Sequence, residues 1–233
     1  VSRAPGQTAG RTPGRTRVGA LISGRGSNLQ ALLDAAAAPD CPYEIALVVS
    51  NKPEVQGLAR AEAAGVPTAV VPHRDYAGRE PFERAITAAL EETGVELVAQ
   101  AGFMRVVTGW FVARWHDRLV NIHPSLLPSF PGLHTHARAL EAGVKLHGCT
   151  VHLVRETVDQ GPILGQAAVP VLPDDDPDVL AARVLQAEHR LYPLCLKLLA
   201  AGRIRVEGET ARVESPAAPL PLLLNPTEGA AAP

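Results

Sequence analysis

Cysteine, long apolar runs and an excess of charge of either sign are all scarce in this sequence, and each shortage removes a class of function. Only Cys41, Cys149 and Cys195 are present, an odd count without CxxC spacing. That argues against a disulfide framework and against a cysteine-rich zinc site, and it points to a reducing compartment, the cytoplasm. No apolar run approaches the roughly 20 residues that cross a bilayer, and the N-terminal VSRAPGQTAGRTPGRTR has no apolar stretch after its arginines. Neither a membrane span nor export is expected. Lys and Arg number 22 against 24 Asp and Glu, so the formal net charge is -2 and no basic field exists to draw in nucleic acid. A small anion bound at a local site remains compatible with this balance.

What is present is the composition of a globular protein. The 233 residues, 46% hydrophobic and 20% charged, suffice for a substantial core and one main domain. Residues 1–17 are rich in Gly, Arg, Thr and Pro, and residues 209–233 in Pro and Ala, so both ends read as flexible tails around a domain spanning 18–208. The apolar LPLLL in the C-terminal tail is a candidate docking segment, although its prolines suit disorder equally. Inside the domain, apolar runs alternate with helical patterns: VGALIS with NLQALLDAAAA, YEIALVVS with VQGLARAEAAG, TAVV with PFERAITAALEETG, then ELVAQAG and LVNIH. The expected fold is α/β, an open, mostly parallel Rossmann-like sheet with helices on both faces and ligands at the carboxyl ends of its strands. Two further strands, CTVHLV and ILGQAAVPV, precede a long helix from about Pro177 to Ala200.

Three segments carry candidate chemistry. LISGRGSNLQ places Gly24, Gly26, Ser27 and Asn28 between a strand and a helix, where free N–H groups and the helix dipole favour an anion such as one phosphate. A plain turn with Ser27 or Asn28 as helix cap fits the same residues. Leu29 stands where a dinucleotide fingerprint needs its third glycine, and there is no Walker motif. The second segment, LVNIHPSLLPSFPGLHTHARAL, opens a stretch holding five of the eight histidines. Asn121 and His123, two apart on a strand, project to one face; an amide donor and an imidazole there can stabilise an oxyanion and move a proton. Pro124, Pro128 and Pro131 hold the loop that follows. A zinc site using His134 and His136 with His123 or His147 is a weaker reading, since no carboxylate stands at ligand spacing. In the third segment, HLVRETVDQGPILGQ, Asp159 is either a turn-former or a carboxylate that orients His123 and keeps imidazolium available.

Together with VVSNK, GLARAEAAGVP, QAGFMRVV, HGCTVHLV, VDQGPI and AEHRLYPL, these segments closely resemble the glycinamide ribonucleotide transformylase family from about Val18 to Gly208. The stretch Asn121 to His136 is the specific part: related folate formyltransferases follow SLLP with Arg-Gly, whereas here Ser129-Phe130-Pro131-Gly132-Leu133-His134 follows. The resemblance implies transfer of a formyl group from 10-formyltetrahydrofolate to the amine of glycinamide ribonucleotide, with no metal. It implies that Gly26, Ser27 and Asn28 hold the substrate phosphate and that Leu185, Gln186, Ala187 and Glu188 meet its ribose and glycinamide portion. Arg79, Met104, Arg105, Val106, Val107, Asn121, Arg155, Glu156, Thr157, Val158 and Asp159 would form the folate pocket, and Asn121, His123 and Asp159 the catalytic trio. Gln100 and Gln160 depart mildly from the family pattern. The resemblance implies small-molecule partners and a monomer or homodimer. A 10-formyltetrahydrofolate hydrolase, normally carrying an additional N-terminal domain, and a non-catalytic sensor of a phosphorylated metabolite are the competing expectations.

Overall fold

Near-continuous apolar sequence in the central strands demands cover on both sides, and the chain supplies it. The computed structural model describes residues 2–3 and 14–214. In order these form β1 (Ser2–Arg3), β2 (Thr16–Ile22), α1 (Ser27–Ala36), β3 (Tyr43–Ser50), α2 (Gln56–Ala63), β4 (Thr68–Val70), α3 (Arg79–Glu92), β5 (Leu97–Gln100), α4 (Gly109–Arg114) and β6 (Leu119–His123). There follow α5 (Thr135–Glu141), β7 (Leu146–Leu153), β8 (Ile163–Pro170), α6 (Pro177–Ala200), β9 (Ile204–Glu207) and β10 (Thr210–Val213). Val18, Ala20, Leu21 and Ile22 of β2 are fully buried. Alternate residues of the sheet feed two cores: α1, α2, α5 and α6 pack on one face through Leu29, Leu32, Leu58, Ala139, Leu180 and Val184, and α3 and α4 on the other through Phe82, Ile86, Leu90, Phe111 and Trp115. The expected open sheet with helices on both faces is the observed one.

The strand order is β1-β4-β3-β2-β5-β6-β7-β8. Strands β4, β3, β2, β5 and β6 are parallel. The histidine-rich loop and α5 then return the chain so that β7 runs antiparallel to β6, and β8 antiparallel to β7. From β2 the chain steps outward through β3 to β4, then crosses back to β5 and proceeds the other way. The order therefore reverses between β2 and β5, and a crevice opens at their carboxyl ends, where open α/β sheets bind ligands.

Helix α6 begins and ends where its sequence pattern placed it. The Asp176 side chain caps it, accepting from the N–H groups of Asp178 and Val179 at 2.9 and 2.8 Å, and Pro177 occupies the first turn, where its missing N–H costs nothing. The outer boundaries differ from expectation. Strand β2 begins at Thr16, whose N–H donates to the Pro42 carbonyl at 2.9 Å, because pairing with β3 continues two residues beyond the apolar run. At the other end Thr210–Val213 pairs with Ile204–Glu207 as a hairpin, so the boundary at 208 falls in its turn; the alternation there is too polar to announce a strand. Ser2–Arg3 pairs antiparallel with β4 at the sheet edge. The rest of both expected tails, LPLLL included, lies outside the described residues.

Tyr192 ties the last helix to the functional end of the sheet. Fully buried, its hydroxyl donates to the carbonyl oxygens of Gln100 on β5 and Val120 on β6, at 3.1 and 3.2 Å. Replacing Tyr192 by Phe removes the donor and leaves those carbonyls short of a partner in a dry site, so urea unfolding of Tyr192→Phe is expected to show a loss of about 1–2 kcal/mol.

Candidate functional site

Three loops meet over the crevice, and each is shaped by a local constraint. The first leaves β2 at Ile22 and turns into α1 through Gly26, which adopts φ 70° and ψ 32°. A Cβ there would sit 2.7 Å from the Gly57 Cα, so only glycine allows both the left-handed turn and the approach of α2. The first intrahelical bond runs from Gln30 N–H to the Gly26 carbonyl at 2.9 Å. The N–H groups of Ser27, Asn28 and Leu29 thus face the open end of the helix, with its dipole behind them. Neither Ser27 nor Asn28 caps the helix with its side chain. The Asn28 amide reaches instead to Glu188 of α6, Nδ2 donating to Oε2 at 2.7 Å. Both residues are buried, and Asn28 Oδ1 has no partner. Burial pushes the Glu188 carboxyl above its usual range, and the bond from Asn28 works against that. From behind, Arg60 secures the loop by donating to the Arg25 carbonyl at 3.0 Å and to Gln30 Oε1 at 3.1 Å.

The second loop, residues 101–108, follows β5. Its start is pinned where Met104 N–H donates to Ser23 Oγ at 2.9 Å, a bond that spans the crevice between β2 and β5. Its end is pinned by Glu83 of α3, a carboxylate only 2% exposed, which accepts from the Thr108 N–H at 2.9 Å and from the Thr108 hydroxyl. Between these anchors Met104 and Val106 turn outward, 74% and 55% exposed. The third loop, residues 154–162, joins β7 to β8 and carries Asp159.

These loops enclose a cleft of about 600 Å³ whose walls include Phe103, Met104, Val106, Val107, Leu133, Val154 and Val158, with Gln100, Arg105, Asn121, His123, Gly132, His152, Arg155, Glu156 and Asp159 among them. Asn121 and His123 project into it from the end of β6. Asp159, on a different loop, reaches His123 with Oδ1 3.4 Å from Nδ1, and its Oδ2 accepts from the Gly132 N–H at 2.8 Å. The other ring nitrogen of His123, Nε2, lies 3.1 Å from the Phe130 carbonyl. Both ring nitrogens therefore face acceptors, an arrangement in which each N–H of an imidazolium has a partner. Asp159, Phe130 and His134 hold φ values of 56°, 53° and 56°, three of the five non-glycine residues with positive φ among the described residues, so left-handed backbone concentrates in the loops around His123. Such outliers gather where surrounding structure fixes a loop for a purpose.

His152 of β7 completes the cluster, and its role had no signal in the sequence beyond membership of the histidine-rich stretch. The ring is almost fully buried. Its Nδ1 lies 2.9 Å from the Leu153 carbonyl and must donate; Nε2 is then an acceptor, 3.3 Å from Asn121 Nδ2. Burial holds the His152 pKa below its ordinary value, against the Leu153 carbonyl and Asp159, which favours this neutral form. One Asn121 N–H is thus directed to His152, and the amide orientation is set.

Residues 16–196 match the formyl transferase family. The chain belongs to that family. Among its relatives, the trifunctional purine biosynthetic protein adenosine-3 of Drosophila melanogaster is 52% identical over 84% of this chain, which spans only 15% of that protein's length. A phosphoribosylglycinamide formyltransferase of Haemophilus influenzae is 41% identical over 87% of this chain and 96% of its own. Among solved structures, glycinamide ribonucleotide transformylase 1 from Symbiobacterium toebii superimposes with a TM-score of 0.85 at 44% identity, covering 91% of this chain and all of that one.

In this formyl transferase chain the structure gathers most of the residues singled out from the sequence, and separates a few. Gly26, Ser27, Asn28 and Glu188 meet; Leu185 and Ala187 are half-buried on α6 beside them, and Gln186 points to solvent. Met104, Arg105, Val106, Val107, Asn121, Arg155, Glu156, Val158 and Asp159 line the cleft, whereas Thr157 and Arg79, an exposed residue at the start of α3, do not. Phe103, Gly132, Leu133, His152 and Val154 line it unannounced. His136 and His147 lie edge to face with ring centroids 5.3 Å apart, and among the described residues no three His, Cys, Asp or Glu side chains come together as a metal site. No helix among them is long and apolar enough to cross a membrane.

Glu188 gives a prediction with a definite sign. Its folded pKa is raised, so its contribution to stability is fully present below the unfolded pKa and is lost as pH rises through the folded value. Glu188→Gln is therefore expected to melt higher than the parent at pH 7.5, with the gap shrinking as pH falls toward 4. Scanning calorimetry across that range checks it; a gap that widens at low pH would contradict the burial argument.

Proposed function

We propose that this chain transfers a formyl group from 10-formyltetrahydrofolate to the amine of glycinamide ribonucleotide, a step of purine biosynthesis. The observation that carries the reading is the meeting of Asn121, His123 and Asp159 at one end of an apolar cleft, beside a glycine turn that leaves the first N–H groups of α1 open. The apolar walls suit the flat pteridine and benzoyl portions of the folate. The open N–H groups of Ser27 to Leu29 suit the ribonucleotide phosphate, and the buried Glu188 carboxylate suits a ribose hydroxyl or the glycinamide. The relatives named phosphoribosylglycinamide formyltransferase and glycinamide ribonucleotide transformylase, both covered almost end to end, support the same formyl acceptor.

The chemistry is direct acyl transfer. The neutral glycinamide amine attacks the formyl carbon, and a tetrahedral intermediate forms. The bond from that carbon to the folate nitrogen then breaks as the new amide bond is kept, and the proton lost by the amine balances the one gained by the departing nitrogen. The second Asn121 N–H, left over once His152 has taken the first, donates to the formyl oxygen. His123, aligned by Asp159, stabilises the oxyanion and delivers a proton; its Nε2–H must exchange the Phe130 carbonyl for the substrate. Holding both substrates in one cleft supplies proximity, which contributes up to roughly 7–11 kcal/mol in well-oriented systems. No covalent adduct with the protein is required.

The first test follows loss of the formyl group spectrophotometrically with and without glycinamide ribonucleotide. Turnover that depends on the ribonucleotide is expected; equal turnover without it would mean delivery of the formyl group to water, and none under either condition would leave a binding protein. Two substitutions test the residue roles. His123→Ala is expected to cut kcat by at least about 10²-fold, the usual cost of losing an oxyanion donor, with the far-ultraviolet circular dichroism unchanged. His152→Phe, which removes the acceptor that orients Asn121, is expected to lower kcat by about tenfold while changing the folate KM little; a shift confined to KM would assign His152 to binding instead.

A further inference from the structure

The resemblance places Arg155 in the folate pocket, where a guanidinium invites the assumption that it pairs with the carboxylates of the folate's glutamate. The geometry gives it other work. All three guanidine nitrogens are engaged by the protein: Nη2 donates to Asp117 Oδ1 at 2.7 Å, Nε to Glu209 at 3.0 and 3.3 Å, and Nη1 lies 3.4 Å from the Val154 carbonyl. The side chain is 11% exposed, so although Arg155 lines the cleft its guanidinium is already paired within the protein.

Each partner comes from a different part of the fold. Asp117 sits in the turn that feeds β6, at a φ of 56°, four residues before Asn121 and six before His123; its other oxygen faces His116 Nδ1 at 3.3 Å. Glu209 lies in the turn of the β9–β10 hairpin, beyond residue 196, where the family match ends. Arg155 itself opens the loop that carries Asp159 four residues later, and Val154 beside it donates its N–H to the Leu119 carbonyl at 2.8 Å. One guanidinium therefore joins the base of the strand bearing Asn121 and His123, the base of the loop bearing Asp159, and a C-terminal hairpin remote from the chemistry.

We propose that Arg155 is a positioning residue, and that the β9–β10 hairpin acts through Glu209 to brace the Asp159 loop against β6. The proposal rests on the formyl-transfer reading for the significance of Asp159, but the anchor itself is a statement about structure. Its energy is unequally divided. The Asp117 contact is the shorter and less exposed one and carries most of the effect; Glu209 is 68% exposed, and exposed pairs contribute little each. The consequence is for alignment: a displacement of about 1 Å between reacting groups costs on the order of 10²-fold in rate, so a modest anchor has a visible kinetic effect.

The test compares two formyl donors, 10-formyltetrahydrofolate and the analogue truncated at the benzoyl group, which has no glutamate carboxylates. Arg155→Ala is expected to lower kcat/KM by about tenfold with both donors alike, Arg155→Lys to restore part of it, and Glu209→Gln to give a loss of about two- to fivefold, again equal for the two donors. Hydrogen exchange of the residue 156–160 amides, read without substrate, is expected to quicken in Glu209→Gln and in Asp117→Asn, and this arm stands whatever the protein's substrate. A loss seen only with the glutamate-bearing donor would overturn the proposal and return Arg155 to substrate binding. Unchanged exchange and kinetics in both carboxylate variants would overturn it as well. Failure of the parent protein to turn over either donor would count against the proposed reaction, and the exchange result would then decide the anchor alone.

Discussion

Two adjacent parallel strands, β2 and β5, release their chains in opposite directions at their carboxyl ends, and no connection crosses the gap between them. Everything about the candidate site depends on that reversal. The loop after β2 must turn into α1 on one face, which leaves its N–H groups open; the loop after β5 runs toward the other face, which leaves a wall of Phe103, Met104, Val106 and Val107. The Ala101 N–H to Leu21 carbonyl bond closes the pairing, and beyond it the Met104 N–H to Ser23 bond bridges the divergence. With backbone pairing ending on both strands there, the crevice has to be held open by side chains anchored outside it, and Glu83, Arg60, Tyr192 and Arg155 each fasten one of its margins.

The switch from parallel to antiparallel at β7 is the second decisive feature. Because β7 returns alongside β6, His152 comes to lie opposite Asn121, and the loop leaving β7 folds back toward His123. With β7 antiparallel, the loop after it starts beside Leu119, at the opposite end of β6 from His123, and folds back over the strand so that Asp159 reaches the imidazole. Asp159 is therefore bound at two points: one oxygen faces His123, and the other secures the Gly132 N–H of the histidine-rich loop. A carboxylate shared in this way couples the position of the ring to the shape of the loop, so neither can shift without disturbing the other.

Buried polar groups at the site are arranged rather than merely tolerated. Glu188 carries a carboxyl whose burial disfavours charge, softened by Asn28, and Asn28 keeps one oxygen unpartnered. Such groups cost stability in the free protein, which is the usual condition of residues held ready for a ligand. The same tension separates the two halves of the site. The loop before α1 offers backbone N–H groups, the cleft offers apolar surface, and exposure of Met104 and Leu133 at the rim is what an apolar ligand would cover.

What the sequence by itself determined follows from local and periodic rules: the alternation of strands and helices, the glycine turn before α1, the Asp176–Pro177 start of α6 and the projection of Asn121 and His123 to one side are each decided within a few residues. Tertiary structure alone decided what those residues meet. The His123 to Asp159 approach, the neutral His152 that orients Asn121, the Asn28 to Glu188 bond that displaced helix capping, and the Arg155 anchor join positions 31 to 160 residues apart; the span of Glu209 to Arg155 alone is 54 residues. Spacing in the sequence carries no information on such pairs, because their distances are fixed by strand order and by the hand and direction of each crossover, and those are properties of the packed sheet. The polar β9–β10 hairpin escaped notice for a related reason: its pairing owes more to the body it leans on than to any apolar alternation of its own.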